Sequence, residues 1–184
     1  MPKSFQQKLK ILYLMRVFAE KTDEAHPMSV KDLIAYLENF GIHAERKTIY
    51  DDIETLRVFG MDIMNRRERP SGFYLASREF EVAELKLLVD AVQSSRFLTT
   101  GKSRQLIQKL ESLTSIYQAK DLQRQVIVQN RVKNTNENIY YNIDEIHRAI
   151  SQNRQISFQY TEWTVSKERH LKKGGARYQI SPWQ

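Results

Sequence analysis

Apolar positions recur with a helical period along most of this chain. The sharpest repeat lies between Ser29 and Gly60, SVKDLIAYLENFGIHAERKTIYDDIETLRVFG. Leu33, Ile34 and Leu37 predict one short amphipathic helix. Ile49, Ile53 and Leu56, spaced i, i+4, i+7, predict a second over 45–59. Ser29 can cap the first helix by accepting a free backbone N–H of its first turn, with Asp32 as the reciprocal partner of a capping box. Gly41 can turn the chain with positive φ, a conformation that a Cβ resists. Upstream, Ile11, Leu12, Met15, Phe18 and Ala19 form a helical stripe within Lys3–Lys21, expected to pack behind the pair as core. Thr22–Met28 is a polar loop in which His26 reads as an isolated surface residue.

Past Gly60 the period shortens. Asp62, Met64 and Arg66 alternate loosely with Met61, Ile63 and Asn65. Arg67–Gly72 carries Pro and Gly, and Phe73–Ala76 is a second short strand, so a β-hairpin is expected. From Arg78 to Gln118 helical spacing returns. Phe80, Leu85, Leu88 and Val92 mark one helix, and Leu106, Leu110, Leu113 and Tyr117 another. RFLTTGK (96–102) interrupts them, with Gly101 ending the first helix and Ser103 starting the next. Lys120–Asn142 is polar apart from Val126, Ile127 and Val128, and NTNEN (134–138) marks a boundary. Asn142 or Asp144 caps a helix through Ile150 whose apolar face includes Ile143, Ile146 and a packed His147. Gln155–Tyr160 alternates as a half-buried strand. Gly174-Gly175 turns the chain into a returning strand, Arg177–Pro182.

The polar face of the second helix in the Ser29–Gly60 pair carries the candidate chemistry. With Ile49, Ile53 and Leu56 inward, Arg46, Lys47, Thr48, Tyr50 and Asp51 point outward from its first turns. A DNA-reading helix enters the major groove N-terminal end first, where Arg and Lys suit guanine edges and phosphates and Tyr can donate to a phosphate. Asp51 suits a cytosine amino group or a hold on Lys47, and Asp52 a structural role. Ser29 and Lys31, at the start of the preceding helix, join the candidate contacts. A hairpin directly behind such a helix is the wing of a winged helix-turn-helix, and Arg66, Arg67 and Arg69 at its tip would reach phosphates or the minor groove. A helical hairpin with an ordinary solvated face is the bland alternative.

Two stretches together resemble bacterial WYL-domain transcriptional regulators. ERKTIYDDIETLRVFGMDI, with the Gly-Phe-Tyr-Leu strand, is similar to their winged helix, and IYYNIDEIHRAISQNRQISFQY, ending in YQISPW, to the start of their WYL domain. The resemblance implies an α+β, mainly α chain. It would comprise a winged helix-turn-helix (1–77), a helical connector and possible dimerisation region (78–138), and the start of a small Sm/SH3-like β-barrel (139–184). It also implies a nucleotide-like or nucleic-acid effector at the WYL domain. The Trp-Tyr-Leu-like segment itself is absent after Trp183-Gln184. The expectation is therefore a truncated product, a fragment, or a half barrel that a partner completes, since two strands leave open edges. Arg169, Lys172, Lys173 and Arg177 form a basic rim on it or an ordinary solvated hairpin.

Composition changes this picture only at the margins. The net charge of +7 and pI near 9.5 favour polyanionic partners. Residues 1–78 hold 13 Lys/Arg against 11 Asp/Glu, a net of +2, so the DNA expectation rests on where the charges sit. There are no cysteines, hence no disulfide framework or thiolate site. No apolar run is long enough to span a membrane, and Arg16 breaks the greasy N-terminal patch, so a cytoplasmic protein is expected. Gly101-Lys102-Ser103 imitates a phosphate-binding loop. That loop needs a second glycine where Arg96 stands and a preceding strand, and nucleotide hydrolysis is rejected. His26, His43, His147 and His170 lack ligand spacing and no serine sits in a nucleophile elbow, so neither an enzyme nor a cofactor is expected. The expectation is a homodimeric regulator on double-stranded DNA. The competing readings are a protein-docking winged helix without DNA binding, and single-strand stacking on Tyr160, Trp163 and Tyr178 if those rings are exposed.

Overall fold

A computed structural model of the chain describes residues 3–125, 133 and 138–182. The patch Val126–Val128, most of the NTNEN boundary and Trp183 lie outside the described residues. The fold is α+β and mainly helical, with seven α-helices and three two-stranded antiparallel sheets among the described residues. It divides into two compact units.

The first unit begins with α1 (Lys3–Lys21), α2 (Val30–Glu38) and α3 (Arg46–Val58), followed by a hairpin of β1 (Ile63–Arg66) and β2 (Gly72–Leu75). Leu33 and Leu37 of α2, Ile49, Ile53 and Leu56 of α3, and Ile63, Phe73 and Leu75 of the hairpin share one buried core. The α1 residues that enter it are Leu14, Val17 and Phe18, with Ile11 and Met15 only partly buried. The stripe expected from the sequence is thus rotated: Leu12 and Ala19 face solvent. The i, i+3, i+4 set around Phe18 wins because both α2 and α3 press on that side. Lys10 lies buried beside it, its Nζ 2.6 Å from Asp52 Oδ2 in an ionic contact rather than a well-directed hydrogen bond. Asp52 is therefore structural.

The ends of α2 follow the local chemistry. Ser29 and Asp32 form the reciprocal capping box, and Gly41 turns the chain at φ +68°. Gly72 has a different reason to be glycine. Its φ is +154°, and a Cβ there would lie 2.4 Å from the Met28 carbonyl oxygen. That close approach lets Met28 exchange two backbone hydrogen bonds with Phe73, at 2.9 and 2.8 Å.

Three further helices complete this unit: α4 (Val82–Ser94), α5 (Thr100–Glu111) and α6 (Ile116–Gln125). Two corrections apply. Phe80 precedes α4, whose buried residues are Leu85 and Val89 while Leu88 is exposed. The stretch expected as one helix through Tyr117 is broken at Ser112–Ser115, and Gly101 and Ser103 lie inside α5. Ser115 has the position of an N-cap, its Oγ accepting from the Gln118 N–H at 3.1 Å, and Leu113 is left exposed.

α6 packs against α1 and α4, and a buried polar knot fastens its start. Ser115 Oγ donates to Asp23 Oδ2 at 2.5 Å, and Asp23 Oδ1 sits 2.7 Å from His26 Nδ1. The His26 ring stacks on Tyr117 with centroids 3.7 Å apart, so this histidine is not isolated. Nearby, Arg78 donates to the carbonyls of Ala19, Thr22 and Leu75.

The second unit holds α7 (Ile139–Ser151), β3 (Ile156–Gln159), β4 (Thr161–Trp163), β5 (Arg169–Leu171) and β6 (Arg177–Ile180). α7 starts before Asn142, and His147 is exposed rather than packed. β3 pairs with β6 and β4 with β5, both antiparallel, so the single strand pair expected is really two. No closed barrel forms among the described residues. β3 is largely exposed rather than half-buried.

Gly72→Ala should cost more than about 1 kcal/mol of stability, read as a lowered Tm, because both the φ and the Met28 approach oppose a Cβ. Asp23 supplies a pH test. Burial pushes its carboxyl up, but hydrogen bonds from Ser115 and His26 outweigh that and hold it below the ordinary 3.8. Its contribution to stability is complete above the unfolded value and is lost as pH falls through the folded one. The Tm gap between the parent chain and Asp23→Asn should therefore narrow as the pH is taken from neutral to below about 4.

Candidate nucleic-acid interface

An open groove of about 670 Å³ runs between the outer face of α2, the first turns of α3 and the β1–β2 hairpin. It exists because each wall turns its apolar side into the same core. The inner row of α3, Ile49, Ile53 and Leu56, is buried, which leaves Arg46, Lys47 and Tyr50 on the open side. The hairpin register sets Asn65 opposite Phe73 and Arg66 opposite Gly72, so the polar end of the hairpin borders the groove.

Of the ten candidate residues, the groove brings together Ser29, Lys31, Arg46, Tyr50, Arg66 and Arg67. Arg46 donates to the Tyr50 hydroxyl at 3.2 Å, with its guanidinium 5.9 Å from the ring centroid. Tyr50 meets Phe73 edge-on at 6.0 Å, so the hydrophobic hairpin residue props the phenol toward the groove. Arg46 is exposed and Tyr50 is 39% exposed, so neither is walled in. Lys47 and Asp51 are exposed on α3 outside the groove lining, and Arg69 is exposed near the hairpin tip.

Three candidates have prior commitments. The Ser29 hydroxyl is spent in the capping box, 2.6 Å from Asp32 Oδ2. Thr48 donates its hydroxyl to the Glu45 carbonyl at 2.8 Å. Arg66 is half-buried and donates to the Glu24 carbonyl at 2.7 Å. Each has donors or acceptors left over, but its geometry is fixed by the fold.

Sequence reasoning missed Glu38, Asn65 and Ser71, which also line the groove. Glu38 was legible: Lys31, Ile34, Ala35 and Glu38 are spaced i, i+3, i+4, i+7 and so share one face of α2. Its carboxylate is the one acidic member of the lining, and it opposes anions at that end.

In the second unit, Tyr160 and Trp163 are exposed and Tyr178 is half-buried. Phe158 and Tyr178 stack with centroids 6.0 Å apart. Arg169 lies over Trp163, Lys172 over Tyr160 and Lys173 over Tyr178, at 5.1, 5.4 and 5.5 Å. Arg177 donates to Ser157 Oγ at 3.0 Å. A cleft of about 1120 Å³ separates α7 from β3. Among the described residues no helix is long and apolar enough to cross a membrane. No group of His, Asp and Glu among them could hold a metal ion.

No family model, curated protein or solved structure matches the chain.

Proposed function

We propose that the chain is a winged helix-turn-helix transcriptional regulator that reads duplex DNA. In this reading α2 and α3 are the helix-turn-helix, α3 enters the major groove by its first turns, and the β1–β2 hairpin is the wing. The observation that carries it is the shared groove, in which Lys31, Arg46 and Arg67 converge with Tyr50 on an open concave face. Four cations, Arg66 included, and a phenol in one channel outnumber its single acid, Glu38, and match a phosphate-lined edge better than an apolar ligand. Arg46 and Lys47 are the base-reading candidates, with Arg67 and Arg69 on the flanking backbone. The second unit is read as the start of a small Sm/SH3-like barrel, the WYL domain of a bacterial, cytoplasmic, homodimeric regulator that answers to a nucleotide-like or nucleic-acid effector.

One observation favours a second reading, docking of a partner protein without DNA. Val58 and Phe59, at the end of α3, are 89% and 75% exposed, a hydrophobic pair at the opposite end of the helix from Arg46.

Selection of bound sequences from a random duplex pool, followed by a salt titration, separates the two. DNA binding predicts an enriched motif and an affinity that falls with rising salt. Arg46→Ala and Lys47→Ala should each weaken discrimination at one base position by about 1–3 kcal/mol if they meet base edges. A double variant with unchanged affinity and unchanged sequence preference would exclude this use of α3. Salt-insensitive partner capture that is lost in Phe59→Ala, without any DNA shift, would favour docking.

A further inference from the structure

The hairpin does not stand alone on the three-helix core. The segment from Thr22 to Met28 is bonded to it at both ends and in the middle. Thr22 Oγ1 accepts from the Leu75 N–H at 3.0 Å, and Met28 exchanges its two backbone bonds with Phe73. Between them, the Glu24 carbonyl accepts from Arg66 of β1 at 2.7 Å.

The other side of the same segment is bonded to α6. Asp23 is 3% exposed and divides its two oxygens between the two neighbours. Oδ1 gathers the Ala25 N–H, the His26 N–H and His26 Nδ1 at 3.0, 2.9 and 2.7 Å, which fixes the turn. Oδ2 accepts from Ser115 Oγ, the hydroxyl that caps α6. His26 adds its stack on Tyr117, the second residue of that helix.

We propose that Asp23 is a positioning residue for the basic hairpin, and that Thr22–Met28 is the relay through which α6 sets the hairpin's pose. The meaning of this for DNA rests on the reading above, whereas the mechanical coupling does not. A buried carboxylate cannot release one partner without leaving a polar group unsatisfied, so a shift of the α6 cap is passed to the turn rather than absorbed. The turn in turn cannot move without breaking its bonds to Leu75, Phe73 or Arg66. A signal that reorients α6 would then alter how Arg66 and its neighbours meet a phosphate strand.

The test compares the full chain with Ser115→Ala, Ser115→Thr, Asp23→Asn and the Ser115→Ala/Asp23→Asn double variant. The first readout is amide hydrogen exchange at Phe73 and Leu75, with Ile53 of α3 as the internal reference. Ser115→Ala should speed exchange at the two hairpin amides roughly tenfold, as loss of one charge-assisted hydrogen bond implies, and leave Ile53 unchanged. Ser115→Thr, which keeps the hydroxyl, should restore the parent rates. The second readout is affinity for a labelled mixed-sequence duplex. It should fall by a similar factor in Ser115→Ala and Asp23→Asn, and no further in the double variant.

Unchanged hairpin exchange in Ser115→Ala would overturn the relay, and so would equal acceleration at Ile53. Should Asp23→Asn fail to fold, Ser115→Ala with its threonine rescue still decides the matter. A loosened hairpin with undiminished duplex affinity would overturn the positioning role. A loosened hairpin in a chain whose parent form binds no duplex would keep the coupling and remove the DNA reading.

Discussion

The rotation of α3 about its own axis is the constraint on which the first unit depends. Ile49, Ile53 and Leu56 are buried against Leu14, Val17 and Phe18 of α1 and Leu33 and Leu37 of α2. Burying three such side chains is worth several kcal/mol, at about 1.5–3 kcal/mol each, so the helix cannot roll to hide its other face. Arg46, Lys47, Tyr50 and Asp51 are outward by consequence. The groove needs no separate cause: it is what remains when α2, α3 and the hairpin have each turned their apolar side to one core.

Electrostatics then sorts the residues on that open side. Asp52 is drawn back to Lys10 at the edge of the core, while Asp51 stays outward. The start of α3 therefore presents Arg46 and Lys47 between two exposed acids, Glu45 at the N-cap and Asp51. Tyr50 is held between Arg46 and Phe73, so a polar tip rests on an apolar base. Such a side chain reaches the groove with little rotamer freedom left to lose on binding.

The helical parts were legible where one face alone was apolar. The bounds Lys3–Lys21 and the inner row of α3 follow directly from the period, and the Ser29–Asp32 box from residue type and spacing. Legibility failed where leucines outnumber buried positions. Leu87, Leu88 and Leu113 are exposed, so counting apolar residues moved the buried stripe of α4 and ran α5 into α6 across Ser112–Ser115. In the second unit the paired strands β3 and β6 were legible within Gln155–Tyr160 and Arg177–Pro182, but β4 and β5, three exposed residues each, carry no alternation to read. The groove itself was legible from α3 and the hairpin, and Glu38 from its spacing with Lys31 on α2, although it was not singled out. The tie from Asp23 to Ser115 spans 92 residues and has no local signature at all.

The strands of the hairpin and its loop are held very differently. The strands are fixed by Phe73, Leu75 and the close approach of Met28 to Gly72, whereas residues 67–71 are all exposed. The scaffold thus separates what holds the loop from what the loop displays. Residues can be exchanged or inserted between Arg67 and Ser71 without reopening the interior, which makes that tip a natural place for variation and for grafted sequences.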